Sequence, residues 1–163
     1  MKKLILIRHA KSSWDNPWLN DHDRPLAERG LRDAPEMAKR LKTKGILPDL
    51  ILSSTAIRAI ETAKITAREL NFPEEKIETE KSLFHSSPSQ LLKCIHRQKD
   101  SVETLFVFGH NPGFNDLINE LGVKLDNLPT SGQLGFKLNS ESWADVGRKT
   151  VEFWFIDYPK KED

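Results

Sequence analysis

The chain has 163 residues, and 25 Lys+Arg against 24 Asp+Glu leave a formal charge of +1, so it is no nucleic-acid or anionic-membrane binder working through bulk charge. One cysteine, Cys94, excludes an intramolecular disulfide framework and suits a reducing, cytoplasmic setting. A domain of this length buries roughly 70% of its unfolded surface, so one core-bearing domain over residues 1–163 is expected.

Met1-Lys2-Lys3 followed by Leu4-Ile5-Leu6-Ile7 has the charge-then-apolar order of an export signal. The apolar run ends after four residues at Arg8-His9, too short for that role. Nowhere does an apolar run approach the roughly 20 residues of a membrane helix, so no membrane association is expected. The first strand is expected over 3–8, apolar on both faces as a covered central strand should be. Residues 11–25, with Trp14, Pro17 and Trp18, form an irregular stretch long enough to suggest function, although the tryptophans could simply pack on the surface.

Helical patterning then covers 31–44, and a short strand covers 50–53. In the next helix, 55–70, Ala56, Ile60, Ala63, Ala67 and Leu70 recur at alternating four and three residues, which places them on one face. A strand at 76–79, a helix at 88–97 and a fully apolar strand at 104–109 follow. Asn111-Pro112 reads as an N-cap and first helical position for a helix over 112–121, with Gly122 at its far end. Strands at 135–138 and 150–157 close the chain, the last as an edge. Alternating strands and helices indicate an α/β fold around a largely parallel sheet.

Three segments put basic or imidazole side chains just after a strand, where ligands bind in such sheets. They are Arg8-His9-Ala10-Lys11, Ser53-Ser54 through Arg58, and Gly109-His110-Asn111-Pro112-Gly113. Arg8 and Arg58 offer planar donor forks to phosphate oxygens, and helix N-termini add positive dipole ends. A neutral His9 can attack phosphorus, and the arginines help by disfavouring the imidazolium. A hydrogen bond from its other ring nitrogen to a backbone carbonyl would fix the tautomer. Singly, a histidine after a strand is more often structural, and Arg58 could be a solvated helix charge. Their joint placement points to a phosphoryl pocket.

Leu6-Ile7-Arg8-His9-Ala10-Lys11, Ser53-Ser54 to Arg58-Ala59 with Glu61-Thr62-Ala63, and Gly109-His110-Asn111-Pro112 resemble the successive signatures of the histidine phosphatase superfamily. Asp23-Arg24-Pro25-Leu26 and Gly30 make the chain similar to its short, SixA-type phosphohistidine phosphatase branch. The resemblance implies a phosphoglycerate mutase-like three-layer α/β/α sandwich with no metal and no cofactor. It implies that His9 accepts the phosphoryl group, that Arg8 and Arg58 bind it, and that His110 stabilises its transition-state charge.

Members acting on alcohol phosphates carry a glutamate acid beyond the second arginine motif. Here Ser82-Leu83-Phe84-His85-Ser86-Ser87 is short and has no carboxylate. A general acid contributes about 10²- to 10⁴-fold, so its absence favours a substrate whose leaving group departs easily. Phosphohistidine on a partner protein meets that condition, with Asp21, Asp23 and His85 as substitute acids of low expectation. The alternatives are a small phosphorylated metabolite hydrolysed by the same mechanism and, third, a non-catalytic phosphate-recognition module. A monomer is expected.

His22 between Asp21 and Asp23 suggests a solvated turn rather than a metal site, and His96 a surface position. Cys94, amid Leu91, Leu92 and Ile95, reads as a small core residue. Lys11 either supplements the pocket or faces solvent.

Overall fold

The computed structural model describes residues 1–160. The last three residues of the domain expected over 1–163 lie outside them. Six strands, β1 (Lys2–Arg8), β2 (Leu50–Ser54), β3 (Glu78–Glu80), β4 (Thr104–Gly109), β5 (Gln133–Leu138) and β6 (Val151–Asp157), form one sheet in the order β3-β2-β4-β1-β5-β6. The β3-β2-β4-β1 half is parallel; β5 runs antiparallel to β1, and β6 antiparallel to β5. The sheet is therefore mixed, with β5 alone reversed.

Alternation along the central strands builds the layers. Leu4, Leu6, Leu105 and Val107 face one side, where they join Leu91 and Ile95 of α3 (Pro88–His96) and Phe114, Leu117 and Ile118 of α4 (Gly113–Glu120). Ile5, Ile7, Phe106 and Phe108 face the other side, against Leu41 of α1 (Glu28–Thr43) and Ala63 and Ala67 of α2 (Ile57–Glu69). Helices thus cover both faces, giving the α/β/α sandwich. Each fully buried Leu, Ile or Phe contributes about 1.5–3 kcal/mol relative to exposure.

Element boundaries depart from the sequence reading where local bonding intervenes. The third strand starts at Glu78 rather than 76, because Glu74–Lys76 close a 3₁₀ turn after Pro73. α4 begins at Gly113, with Pro112 as its N-cap and the Asn111–Pro112 bond cis, not at Pro112 as expected. Asn111 still caps it in effect, because its Oδ1 accepts the Asn115 amide at 3.1 Å. α1 begins three residues early, at Glu28, where Leu31 N donates to Ala27 O at 2.9 Å.

Gly30 explains how α1 reaches the site. A Cβ there would lie 2.2 Å from the Lys11 carbonyl oxygen, so only glycine lets the first helical turn rest on the segment after β1. Ala27 N donates to the same Lys11 oxygen at 2.8 Å, and Ser12 bridges to Leu26. Cys94 is buried, and burial pushes its thiol up to about 11, which makes it an inert core residue. His96 is half-buried rather than a surface residue: its Nε2 donates to Val146 O at 2.8 Å and ties α3 to the turn at Trp143–Asp145. Among the described residues, no helix is long and apolar enough to cross a membrane.

Candidate active site

The carboxyl ends of β1, β2 and β4 lie side by side, so the segments that follow them meet at one edge of the sheet. His9 stands directly beyond β1 and is 7% exposed. Its amide donates to Gly109 O at 3.1 Å and its carbonyl accepts from Ser131 N at 3.0 Å. Next to it, Ala10 N donates to Thr62 Oγ1 at 3.0 Å, while the Thr62 hydroxyl donates to Arg58 O at 2.7 Å. Backbone anchors from β4, α2 and the approach to β5 therefore fix the ring before any ligand enters.

His9 Nδ1 lies 2.7 Å from the Ala10 carbonyl oxygen. A carbonyl only accepts, so the proton is assigned to Nδ1, and Nε2 keeps its lone pair. Burial pushes the His9 pKa down to about 4; the Ala10 bond opposes this, and the charges of Arg58, Arg8 and Arg24 add to it. The ring is neutral at pH 7, as a nucleophile must be.

His110 follows β4, with its ring centroid 5.1 Å from that of His9 and the planes at 51°. Its Nε2 lies 2.8 Å from Ser54 Oγ, which already accepts the Ala56 amide at 3.1 Å. We assign the Ser54 hydroxyl proton to that contact, donated to Nε2, which leaves the His110 ring proton on Nδ1. Burial, then the neighbouring His9 and Arg58, push its pKa down to about 3.

Arg8 donates from one terminal nitrogen to Leu128 O at 2.9 Å. Arg58 donates from both ends to Asp21, at 2.6 Å to the carbonyl oxygen and 3.0 Å to Oδ2. Arg8 Nε, Arg58 Nε and His110 Nδ1 are buried with no hydrogen-bond partner among the described residues. All three belong to side chains lining one cavity of about 300 Å³, together with His9, Lys11, Trp14, Asp21, Arg24, His85 and others. An unsatisfied buried donor costs about 1–3 kcal/mol, so the two guanidinium N–H groups leave an electrostatic demand beside this cavity that no described residue meets.

The structure brings Arg8, His9, Arg58 and His110 together and adds Lys11 to the rim. It also supplies residues the sequence reading did not single out for the site. Arg24 is buried, donates to Asp21 Oδ1 at 2.9 and 3.1 Å and to Ser12 Oγ at 2.8 Å, and stacks on Trp14 at 3.4 Å from the ring centroid. The Asp23-Arg24-Pro25 run was the available signal. Ser54 lies in the segment after β2, but its pairing with His110 spans 56 residues and leaves no local trace.

Trp14 lines the cavity, whereas Trp18 is 91% exposed. His22 is more than part of a solvated turn, since its Nε2 sits 2.8 Å from Thr55 Oγ1 and pins the 3₁₀ turn Asp21–Asp23 to the start of α2. Asp23 bonds His22 at 3.2 Å and is absent from the cavity lining. Burial pushes the Asp21 carboxyl up, but hydrogen bonds and charge from Arg24 and Arg58 outweigh this and hold it below the usual range. Asp21 is thereby a poor proton donor. Among the described residues, no group of three or more His, Cys, Asp or Glu is placed to hold a metal ion.

Two imidazoles and several guanidiniums at the carboxyl edge of an α/β/α sheet define a phosphoryl-handling site. The chain belongs to the histidine phosphatase superfamily (branch 1), whose profile matches residues 4–84. An uncharacterized protein of Mycobacterium tuberculosis is 38% identical over 151 residues, covering 86% of this chain and 91% of that protein. An uncharacterized chloroplastic protein of Arabidopsis thaliana is 33% identical over 153 residues, covering 89% of this chain and 70% of that protein. Among solved structures, SixA of Agrobacterium tumefaciens is similar with a TM-score of 0.81 and 27% identity, covering 97% of this chain and 98% of its own. A protein histidine phosphatase SixA complexed with tungstate matches with a TM-score of 0.82 at 22% identity, covering 96% and 97%. Family and fold place the chain with the short SixA-like members and support a phosphatase activity.

Proposed function

We propose that this protein hydrolyses phosphohistidine on a partner protein through a covalent phosphoryl group on its own His9. The observation that carries this reading is the set of buried, unpartnered nitrogens, Arg8 Nε, Arg58 Nε and His110 Nδ1, beside a neutral His9. His9 Nε2 attacks phosphorus as the bond from phosphorus to the substrate's ring nitrogen breaks, and the substrate, whose other ring nitrogen is protonated from solvent, leaves as neutral imidazole. Arg8, Arg58 and His110 Nδ1–H take the charge on the phosphoryl oxygens, the main requirement of such a transfer. Water then attacks phosphorus and phosphate departs. Because Nδ1 keeps its proton on the Ala10 carbonyl, His9 leaves as a neutral ring.

The substrate assignment rests on leaving-group chemistry. The segment from Lys81 to Ser87 brings no carboxylate to the cavity, and among the described residues the one carboxylate lining it, Asp21, is held ionised by two arginines. A P–N bond needs less help than an alcohol ester. The phosphohistidine named for the similar SixA structure from Agrobacterium tumefaciens agrees with that requirement.

Incubation with a phosphohistidine-bearing protein and, separately, with p-nitrophenyl phosphate tests the reading, with release of phosphate followed in both. The native protein should dephosphorylate the protein and form an acid-labile phosphoenzyme that His9→Ala lacks. Brisk ester hydrolysis without any action on phosphohistidine would make the small-metabolite alternative the correct one. Normal turnover by His9→Ala would remove His9 as nucleophile.

A further inference from the structure

We propose that His85 is a catalytic proton donor that extends this site to phosphate esters. The inference rests on the reading of His9 as phosphoryl acceptor, but not on phosphohistidine as the preferred substrate.

His85 lines the same cavity as His9, Arg8, Arg58 and His110, and also the adjoining hollow formed by Ser86, His110, Asn111, Pro112 and Gly113. It is not part of the anion cradle. Its ring carries no hydrogen bond among the described residues, and the nearest carboxylate oxygen, Asp21 Oδ2, stands 4.0 Å from its Nε2, too far for a direct bond. At 72% side-chain exposure, the ring is free to meet a substrate and exchange protons with water.

Its placement is nonetheless controlled. Phe84 lies 4.0 Å away, centroid to centroid, and is itself set edge-on against His22 at 4.8 Å and His110 at 5.5 Å. The His85 backbone has φ +55°, a left-handed conformation that histidine adopts more readily than most residues. Of the three candidate acids, Asp23 is absent from the cavity lining and Asp21 is engaged by Arg24 and Arg58, which leaves His85 to move a proton.

In the ester reaction, His9 Nε2 forms a bond to phosphorus while the P–O bond to the alcohol breaks. Protonated His85 gives its proton to the departing oxygen, which leaves as the neutral alcohol. Neutral His85 then takes a proton from the water that attacks phosphorus. The His9–phosphorus bond breaks, phosphate leaves, and both histidines return to their starting states. No other reactant is required.

The test is the native enzyme against His85→Gln on phenyl, p-nitrophenyl and dinitrophenyl phosphates, whose leaving phenols are progressively more acidic. His85→Gln should lower kcat/KM about 100-fold on phenyl phosphate and under about 10-fold on dinitrophenyl phosphate, steepening the dependence on the leaving group. An exposed ring can be replaced without loss of folding, which circular dichroism of the variant checks. Equal losses across the series, or no loss, would overturn the role, as would a native enzyme inert toward all three esters. Absence of any phosphoenzyme on His9 would instead overturn the underlying phosphatase reading, so the two failures are distinct.

Discussion

Asp21 holds Arg58 by both ends of its guanidinium, taking one terminal nitrogen on its carbonyl at 2.6 Å and the other on Oδ2 at 3.0 Å. The carboxylate therefore orients the arginine, whose buried Nε has no hydrogen-bond partner among the described residues. Asp21→Ala should lower kcat/KM by about 10- to 100-fold, the equivalent of losing a charge-assisted bond of roughly 1.5–3 kcal/mol. Steady-state kinetics with vanadate inhibition measures it. Unchanged values would show that α2 alone sets the arginine.

Ser54 should matter in the same indirect way. Its hydroxyl lies 2.8 Å from His110 Nε2 and, as the assigned donor there, keeps the ring proton on Nδ1. Ser54→Ala should reduce kcat by up to about 10-fold, in keeping with a neutral hydrogen bond of roughly 0.5–1.5 kcal/mol. Tungstate affinity should fall alongside it. A variant with native kcat and affinity would show that His110 holds its tautomer without Ser54.

Stability should depend on acidity through the two buried rings. His9 and His110 have native values of about 4 and about 3 against an ordinary 6.5. Between those limits the unfolded chain binds more protons than the native one, so stability rises with pH. It is complete above about 6.5 and is lost as pH falls toward 4, by roughly 3 kcal/mol for His9 alone. Urea unfolding at pH 5 and pH 7.5 should show the native protein losing more on acidification than His9→Asn. Parallel losses would mean that other groups dominate.

Gly30→Ala should be damaging despite the good helix propensity of alanine. The new methyl would stand 2.2 Å from the Lys11 carbonyl oxygen, a backbone atom without freedom to swing aside. About 1–3 kcal/mol of destabilisation is expected from such overpacking, with reduced activity as the segment beside His9 shifts. Gly147→Ala, whose Cβ would meet only Asp145 O at 3.9 Å, is the matched control. Equal denaturant midpoints for the two variants would show that α1 can retreat.

The layers and the four principal motif residues were legible in the sequence because their signals are local. The apolar runs of β1 and β4, the small-residue face of α2, and Arg8, His9, Arg58 and His110 after strands all sit within short windows. What stayed hidden is tertiary. The reversal of β5 follows from its antiparallel pairing with β1, and nothing in the run from Gln133 to Leu138 encodes direction. The clamping of Arg58 by Asp21 joins residues 37 apart. His22 and His96 read as solvated because their partners, Thr55 and Val146, are remote in sequence.

The reversed strand has a consequence for how the site comes into being. Because β5 begins at the edge where β1 ends, Ser131 N reaches His9 O and Gly132 O receives Arg8 N at 3.0 Å each. The His9 backbone is thus anchored by a segment more than 100 positions downstream. A fragment ending near residue 84 would contain Arg8, His9 and Arg58 yet lack that floor, and His110 as well. The backbone around His9 therefore has its full set of bonds only when β5 is paired with β1.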